Sequence, residues 1–191
     1  MTNHENSFIE AENLIFEFRR NSHLIFRLGE LLVNSLKSGS KILTCGNGGS
    51  AADALHLTEE LLGRYRSNRR SLPGICFNAD PTVLTCIGND FGFDQIFTRQ
   101  LEGLGRPGDC LIAFSTSGNS PNIVNVLHRA AELNITTIAL TGATGGKACS
   151  LSTESICVPS INTSRVQEMH TFVMHLWMDQ IEDAFSDDKK C

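Results

Sequence analysis

The chain has 191 residues, 41% of them apolar and 19% charged, with a net charge of −5. One compact core fits this length, and the acidic balance excludes nucleic acid or an anionic membrane as main partner, since both require a basic face. No apolar run approaches the roughly 18 residues of a membrane span, and Met1-Thr2-Asn3-His4-Glu5 does not open a signal peptide.

Seven cysteines without a Cys-x-x-Cys pair, several of them inside apolar segments, predict reduced thiols and a cytoplasmic protein. The one basic cluster is Arg64, Arg66, Arg69 and Arg70. Arg69 and Arg70 read as a solvated loop, whereas Arg64 closes a helix and is placed to reach a phosphate.

From about Ser7 to Lys37 apolar residues recur at helical spacing, with a break near Asn21-Ser22. This predicts a helical arm over about 7–37 that covers the sheet or offers an oligomer surface. From Lys41 the chain alternates strand and helix. Strands are expected at Lys41–Cys45, Gly74–Asn78, Asp109–Phe114, Ile135–Leu140 and Ser155–Val158. Helices are expected from Ser50 to about Arg64, from Pro81 to Ile87, from Phe93 to Leu104, from Pro121 to Leu133 and from Arg165 to Phe185. Gly88-Asn89-Asp90-Phe91-Gly92 reads as a polar loop, and 186–191 as a charged tail. Such alternation predicts one α/β domain over 1–191, with parallel βαβ units in a five-stranded sheet covered on both faces; the doubly wound, flavodoxin-like order 2-1-3-4-5 is the form taken for it.

Two loops carry chemistry. Gly46-Asn47-Gly48-Gly49-Ser50 joins the first strand to its helix. Glycine lets the backbone adopt positive φ and approach a ligand closely, and the helix N-terminus supplies free N–H groups and a positive dipole end. Ser115-Thr116-Ser117-Gly118-Asn119-Ser120 follows the third strand, with Ser120 and Pro121 suited to open a helix. Alone, each is an ordinary turn. After strands one and three of a 2-1-3-4-5 sheet they flank the switch point, where ligands bind. Gly46-x-Gly48-x-x-Ala51 also fits a dinucleotide fingerprint, but no acid stands about 20 residues further on. On the first of these helices, His56 and Glu60 share a face. The last helix offers Gln167, Glu168, His170 and His175 as partners, and His, Glu and His suit zinc. His170 alone reads as a structural histidine.

Together, Cys45-Gly46-Asn47-Gly48-Gly49-Ser50, His56-x-x-x-Glu60-Leu61, Gly63-Arg64-Tyr65, Gly88-Asn89-Asp90-Phe91-Gly92-Phe93, Ser115 to Ser120 and Arg165-Val166-Gln167-Glu168-Met169-His170 resemble the phosphoheptose isomerases of the SIS (sugar isomerase) group. The resemblance spans nearly the whole chain in order. It implies an aldose–ketose isomerase acting on sedoheptulose 7-phosphate, working as a cytoplasmic homotetramer with active sites at subunit interfaces. It implies one Zn2+ per subunit on His56, Glu60, Gln167 and His175, with Glu60 as general base and His175 as its acid/base partner. Asn47, Gly48, Gly49, Glu60 and Arg64 would hold substrate from the first loop and its helix. Asn89, Asp90, Ser115, Thr116, Ser117, Ser120 and Gln167 would complete the set. Gln167 and His175 lie about 12 Å apart along a straight helix, so both reach one metal only if Gln167 stretches forward and His175 leans back. Ala51 and Ser164 depart from the family pattern, where some relatives carry histidine and aspartate. The rivals are a non-catalytic SIS regulator of the initiator-associating type, against which Glu60 and His175 argue, and an isomerase of another sugar phosphate.

Overall fold

The computed structural model describes residues 3–186. Five parallel strands, β1 (Ile42–Gly46), β2 (Gly74–Cys76), β3 (Cys110–Ser115), β4 (Thr136–Thr141) and β5 (Glu154–Cys157), form one sheet of order β2-β1-β3-β4-β5. The doubly wound order 2-1-3-4-5 expected for the sheet is therefore the one found. Ile42 is in register with both Gly74 and Cys110, so the two candidate loops leave adjacent strands at the same sheet edge.

Every residue of β1 and β3 is buried, as both faces of a parallel sheet demand. Strand alternation sends Ile42, Cys110, Ile112, Phe114, Ile138 and Leu140 to one face. Leu43, Cys45, Leu111, Ala113 and Ala139 go to the other. On the first face pack α2 (Ser22–Lys37), α3 (Gly49–Leu62) and α8 (Thr163–Ala184), with Leu28, Leu32, Leu57, Leu61, Met174 and Trp177 inside. On the second lie α4 (Pro81–Phe91), α5 (Thr98–Leu104), α6 (Pro121–Glu132) and α7 (Gly146–Leu151).

The arm is α1 (Asn3–Phe18), a 3₁₀ turn Arg19–Asn21 and α2, so the break falls where expected. It is docked rather than loose. Trp177 Nε1 donates to the Ile25 carbonyl at 2.9 Å, and Arg27 grips Glu154 through two hydrogen bonds of 2.8 and 2.9 Å. Among the described residues no helix is long and apolar enough to cross a membrane. The charged tail, 186–191, lies outside the described residues apart from Ser186.

Three expectations need correction. Gly88 to Phe91 are not a loop but the last turn of α4. Asp80 caps that helix by accepting from Thr82 N and Val83 N, Pro81 presets its first turn, and it runs on until Gly92, at φ 88°, stops it. Residues 146–151, where no element was expected, form α7, announced only by Gly145 and Gly146 with φ of 68° and 56°. Arg69 is not solvated. Its side chain is 1% exposed, because its guanidinium caps the end of α3. It donates to the carbonyls of Glu60 (2.5 Å) and Leu61 (3.0 Å) and lies 3.5 Å from Glu182, whose carboxylate also accepts from Ser67 N and Oγ. Burial pushes Glu182 upward, but the Ser67 hydrogen bonds and Arg69 outweigh it and hold the carboxyl below its ordinary value.

Candidate active site

The glycine loop is built for close backbone packing. Asn78 bridges both polar groups of Gly46, accepting from its N–H at 3.1 Å and donating to its carbonyl at 2.9 Å. Gly48 sits at φ 59°, a region that disfavours side chains, and hands the chain to α3. A Cβ on Gly49 would collide with the carboxamide of Gln167 from α8, so α8 passes directly over the cradle. Gly46, Asn47, Gly48, Asn78, Thr85 and Phe93 line a cavity of about 470 Å³ at this loop.

The hydroxyl loop begins on the last residue of β3. Ser115 accepts from Gly118 N through both its carbonyl (3.0 Å) and its Oγ (3.2 Å), which curls the turn, and Gly118 takes φ 64°. Asn119 N donates to Ser117 Oγ at 3.2 Å, and Ser120 and Pro121 open α6 as expected, although Ser120 makes no side-chain cap. Thr116, Ser117, Thr144, Ser160 and Thr163 bring hydroxyls to a cavity of about 240 Å³. The two loops are joined by a pair of carboxamides, Asn47 and Asn122, which exchange hydrogen bonds of 2.9 Å in both directions.

At the other end of α3 stands the reactive cluster. Glu60 Oε1 lies 3.2 Å from His56 Nε2 on the same helix and 3.7 Å from His175 Nε2 on α8. One donor atom from each of the three falls within 4.8 Å of the others. The imidazoles meet edge to face, ring centroids 5.2 Å apart, and Tyr65 stacks on the other side of His175 at 5.9 Å and 20°. Burial raises the Glu60 carboxyl above its ordinary value, opposed by His56 and then His175. Its Oε2 is buried with no hydrogen-bond partner among the described residues. Two imidazoles and a carboxylate converging on one point, with an orphaned carboxylate oxygen, fit a divalent metal and can hold one.

Residues 8–142 match the SIS domain family. The chain is 48% identical over 161 residues to phosphoheptose isomerase 1 of Campylobacter jejuni, covering 84% of this chain and 87% of that protein. It is 50% identical over 150 residues to the phosphoheptose isomerase of Rhodospirillum rubrum, covering 78% and 80%. The chain belongs to the SIS domain family and, within it, to the phosphoheptose isomerases. Solved phosphoheptose isomerases agree with the fold throughout. The Francisella tularensis structure superposes with TM-score 0.91 at 34% identity over 96% of this chain and all of its own. That of Neisseria gonorrhoeae gives 0.88 at 37% identity over 94% and 96%.

Against the phosphoheptose isomerase pattern, the fold brings His56, Glu60 and His175 together as a unit, and places Asn47, Gly48 and Gly49 with Gln167 at the cradle. Gln167 lies with its carboxamide against Gly49, at the N-terminal end of α3, and not forward at the His56–Glu60–His175 cluster. Three expected substrate residues stay outward in this chain. Arg64 is exposed and donates to Asn68 at 3.1 Å, and Asn89 and Asp90, bonded to each other at 2.7 Å, are exposed on the last turn of α4. His170 is structural, as read from the sequence. It is fully buried against Phe114 with Nε2 3.3 Å from the Thr141 carbonyl. The sequence reading missed Asn78, Asn122 and Arg69 as supports. Asn122 is 1% exposed directly after Pro121, and a buried asparagine at a helix start beside a ligand loop was the available signal.

Proposed function

We propose that the chain converts sedoheptulose 7-phosphate to D-glycero-D-manno-heptose 7-phosphate by proton transfer through an enediol. The observation that carries this reading is the single carboxylate oxygen, Glu60 Oε1, faced by imidazoles from two helices, on the same α3 whose N-terminus forms the first anion cradle. Backbone N–H groups of Gly48 and Gly49 and the hydroxyls of Ser115, Thr116, Ser117 and Ser120 bind the phosphorylated chain of the sugar at two helix N-termini. Asn47 and Gln167 orient its hydroxyls. Glu60, made more basic by burial, takes the proton from C1 on its unpartnered Oε2 and returns it to C2. His175 carries the second proton between the oxygens of C1 and C2, its ring fixed by the stack on Tyr65.

His56, Glu60 and His175 would hold one Zn2+ per subunit, and Gln167, whose carboxamide lies against Gly49, would have to swing along α8 toward His175 to serve as fourth ligand. When bound, the ion supplies a positive charge that stabilises the enediolate oxygens. The protein works in the cytoplasm as a homotetramer with its sites at subunit interfaces. Supporting this, Phe8 and Phe16 on the arm and Leu62 and Phe172 on the helices that carry the cluster leave large apolar area exposed. Arg64, Asn89 and Asp90, outward in one chain, then meet substrate across the interface.

The test is direct. Purified protein with zinc supplied is incubated with sedoheptulose 7-phosphate, and the aldose signal is followed by NMR. Turnover is expected, together with one zinc per chain by elemental analysis and a tetrameric mass by light scattering. Absence of turnover with zinc bound would move the assignment to another sugar phosphate or to a regulator.

A further inference from the structure

We infer that Cys149 and Cys157 form a reversible intramolecular disulfide on exposure to hydrogen peroxide, and that this bond acts on the hydroxyl loop from behind. Their sulfurs are 4.0 Å apart, on α7 and at the end of β5, and both residues are half-buried. A Cβ placed on Gly145 would touch both, at 3.3 and 3.4 Å, so the sulfurs face each other across the bare Cα of one glycine. Hydroxyls complete the setting. Cys149 Sγ lies 3.0 Å from Ser155 Oγ, and Thr141 Oγ1 donates to Cys157 Sγ at 3.3 Å. The other described thiols differ: Cys45, Cys76 and Cys110 are buried in strands and Cys86 is exposed on α4.

The chemistry balances without a further reagent. The thiolate of one cysteine attacks a peroxide oxygen, the O–O bond breaks, and water leaves after proton uptake, giving a sulfenic acid. The second thiol attacks that sulfur, the S–O bond breaks, and a second water leaves. Two thiols are oxidised by two electrons and one peroxide is reduced to two waters.

The segment that carries Cys149 is the back wall of the hydroxyl loop. Ala148 N donates to the Gly118 carbonyl (2.9 Å), Lys147 N to Asn119 Oδ1 (3.1 Å), and Gly142 N to the Thr116 carbonyl (2.9 Å). Gly118 and Gly145 pack backbone on backbone, with no room for a Cβ on Gly118. Closing the sulfurs from 4.0 Å to the roughly 2.05 Å of a disulfide draws α7 toward β5, and that shift has no slack to absorb it before Ser117. The bond is independent of the proposed reaction, whereas its effect on substrate rests on that reading.

The full-length protein is treated with hydrogen peroxide, free thiols are alkylated, and the tryptic peptide Ala148–Arg165, which contains these two cysteines and no others, is weighed. The expected product is unalkylated, two hydrogens lighter than the dithiol, and restored by dithiothreitol. A peptide alkylated on both cysteines, or joined to a different cysteine, overturns the assignment. Hydrogen exchange of 115–120 is compared between the two forms, with Cys149→Ser as the variant that cannot bridge. A change in the bridged wild type alone is expected, and a bridge that leaves these amides unchanged refutes the coupling. Both readouts work in a protein that turns over no sugar, so failure of the proposed function is seen separately. With turnover, KM should rise several-fold on bridging and recover on reduction.

Discussion

His170 and His175 stand on the same helix, and what surrounds them separates them. His170 is fully buried, its ring against Phe114 and its Nε2 within reach of the Thr141 carbonyl. A carbonyl only accepts, so Nε2 carries a proton, and burial disfavours a second one on the ring. Burial pushes its pKa down to about 4. His175 is 37% exposed at its side chain, faces a carboxylate of a different helix and is stacked on Tyr65. One ring is spent on the fold and the other is left facing a partner whose second oxygen is unpaired. Facing groups, not residue type, decide which histidine can move protons.

The sharpest way to break this contrast is to remove the facing carboxylate. Glu60→Gln keeps the shape and the helix but has no base, and about 10⁴-fold loss of kcat is expected, measured by aldose formation at saturating substrate. Full activity in this variant would end the proton-transfer assignment. His175→Gln should cost about 10³-fold, with an unchanged melting temperature, because its ring contributes little to the core. A loss below about tenfold would make His175 a packing residue like His170.

The contrast was legible from the sequence in part. The parallel, two-faced sheet follows from the strand–helix alternation, and the pairing of His56 with Glu60 follows from helical spacing, since both depend on local periodicity. The order 2-1-3-4-5 does not, and rests on the doubly wound form taken for the sheet. His175 could be tied to them only through the resemblance, because no periodicity reports that α8 crosses α3. Arg69 shows the limit most clearly. A basic run between two elements looks solvated, yet the unsatisfied carbonyls at the end of α3 draw one guanidinium out of it. The α4 error lies at the helix's far end: its start at Pro81 is read correctly, but Asn89 and Asp90 look like loop residues although the helix runs on to Phe91 and its cap at Gly92.

Below the site itself, Arg69→Met tests whether the cap matters to the fold. It leaves Glu182 without its cation and the Glu60 and Leu61 carbonyls without a donor, and a loss of about 3–5 kcal/mol is expected by urea denaturation. His170 gives a smaller, pH-dependent effect. Its folded pKa of about 4 lies below the ordinary 6.5, so between these values the unfolded chain binds the extra proton. Stability is therefore complete above about pH 6.5 and falls by about 3 kcal/mol as pH drops toward 4. His170→Gln, which retains a donor for Thr141, should flatten this acid slope when denaturation midpoints are compared at pH 7 and pH 5. An unchanged slope would mean that His170 is not the titrating group.

The smallest expected effect concerns the joint between the loops. Asn47 and Asn122 each give and accept one hydrogen bond, so each carboxamide fixes the orientation of the other. Asn122→Asp preserves size but replaces the amide donor with an oxygen facing Asn47 Oδ1. The Asn47 Nδ2 bond survives, the other becomes an oxygen–oxygen contact, and turning Asn47 over only exchanges the two. Asn122 touches no substrate in the proposed geometry, so chemistry at Glu60 should be intact and binding at the cradle should suffer. KM is expected to rise about tenfold, roughly the 1.4 kcal/mol of one misoriented hydrogen bond, with kcat within about twofold. Asn122→Ala leaves Asn47 Oδ1 without a donor but without an opposing oxygen, and should fall between the wild type and Asn122→Asp. If Asn122→Asp lowered kcat and left KM alone, the two loops would be coupled to the proton-transfer cluster through α3, not to the grip on the sugar.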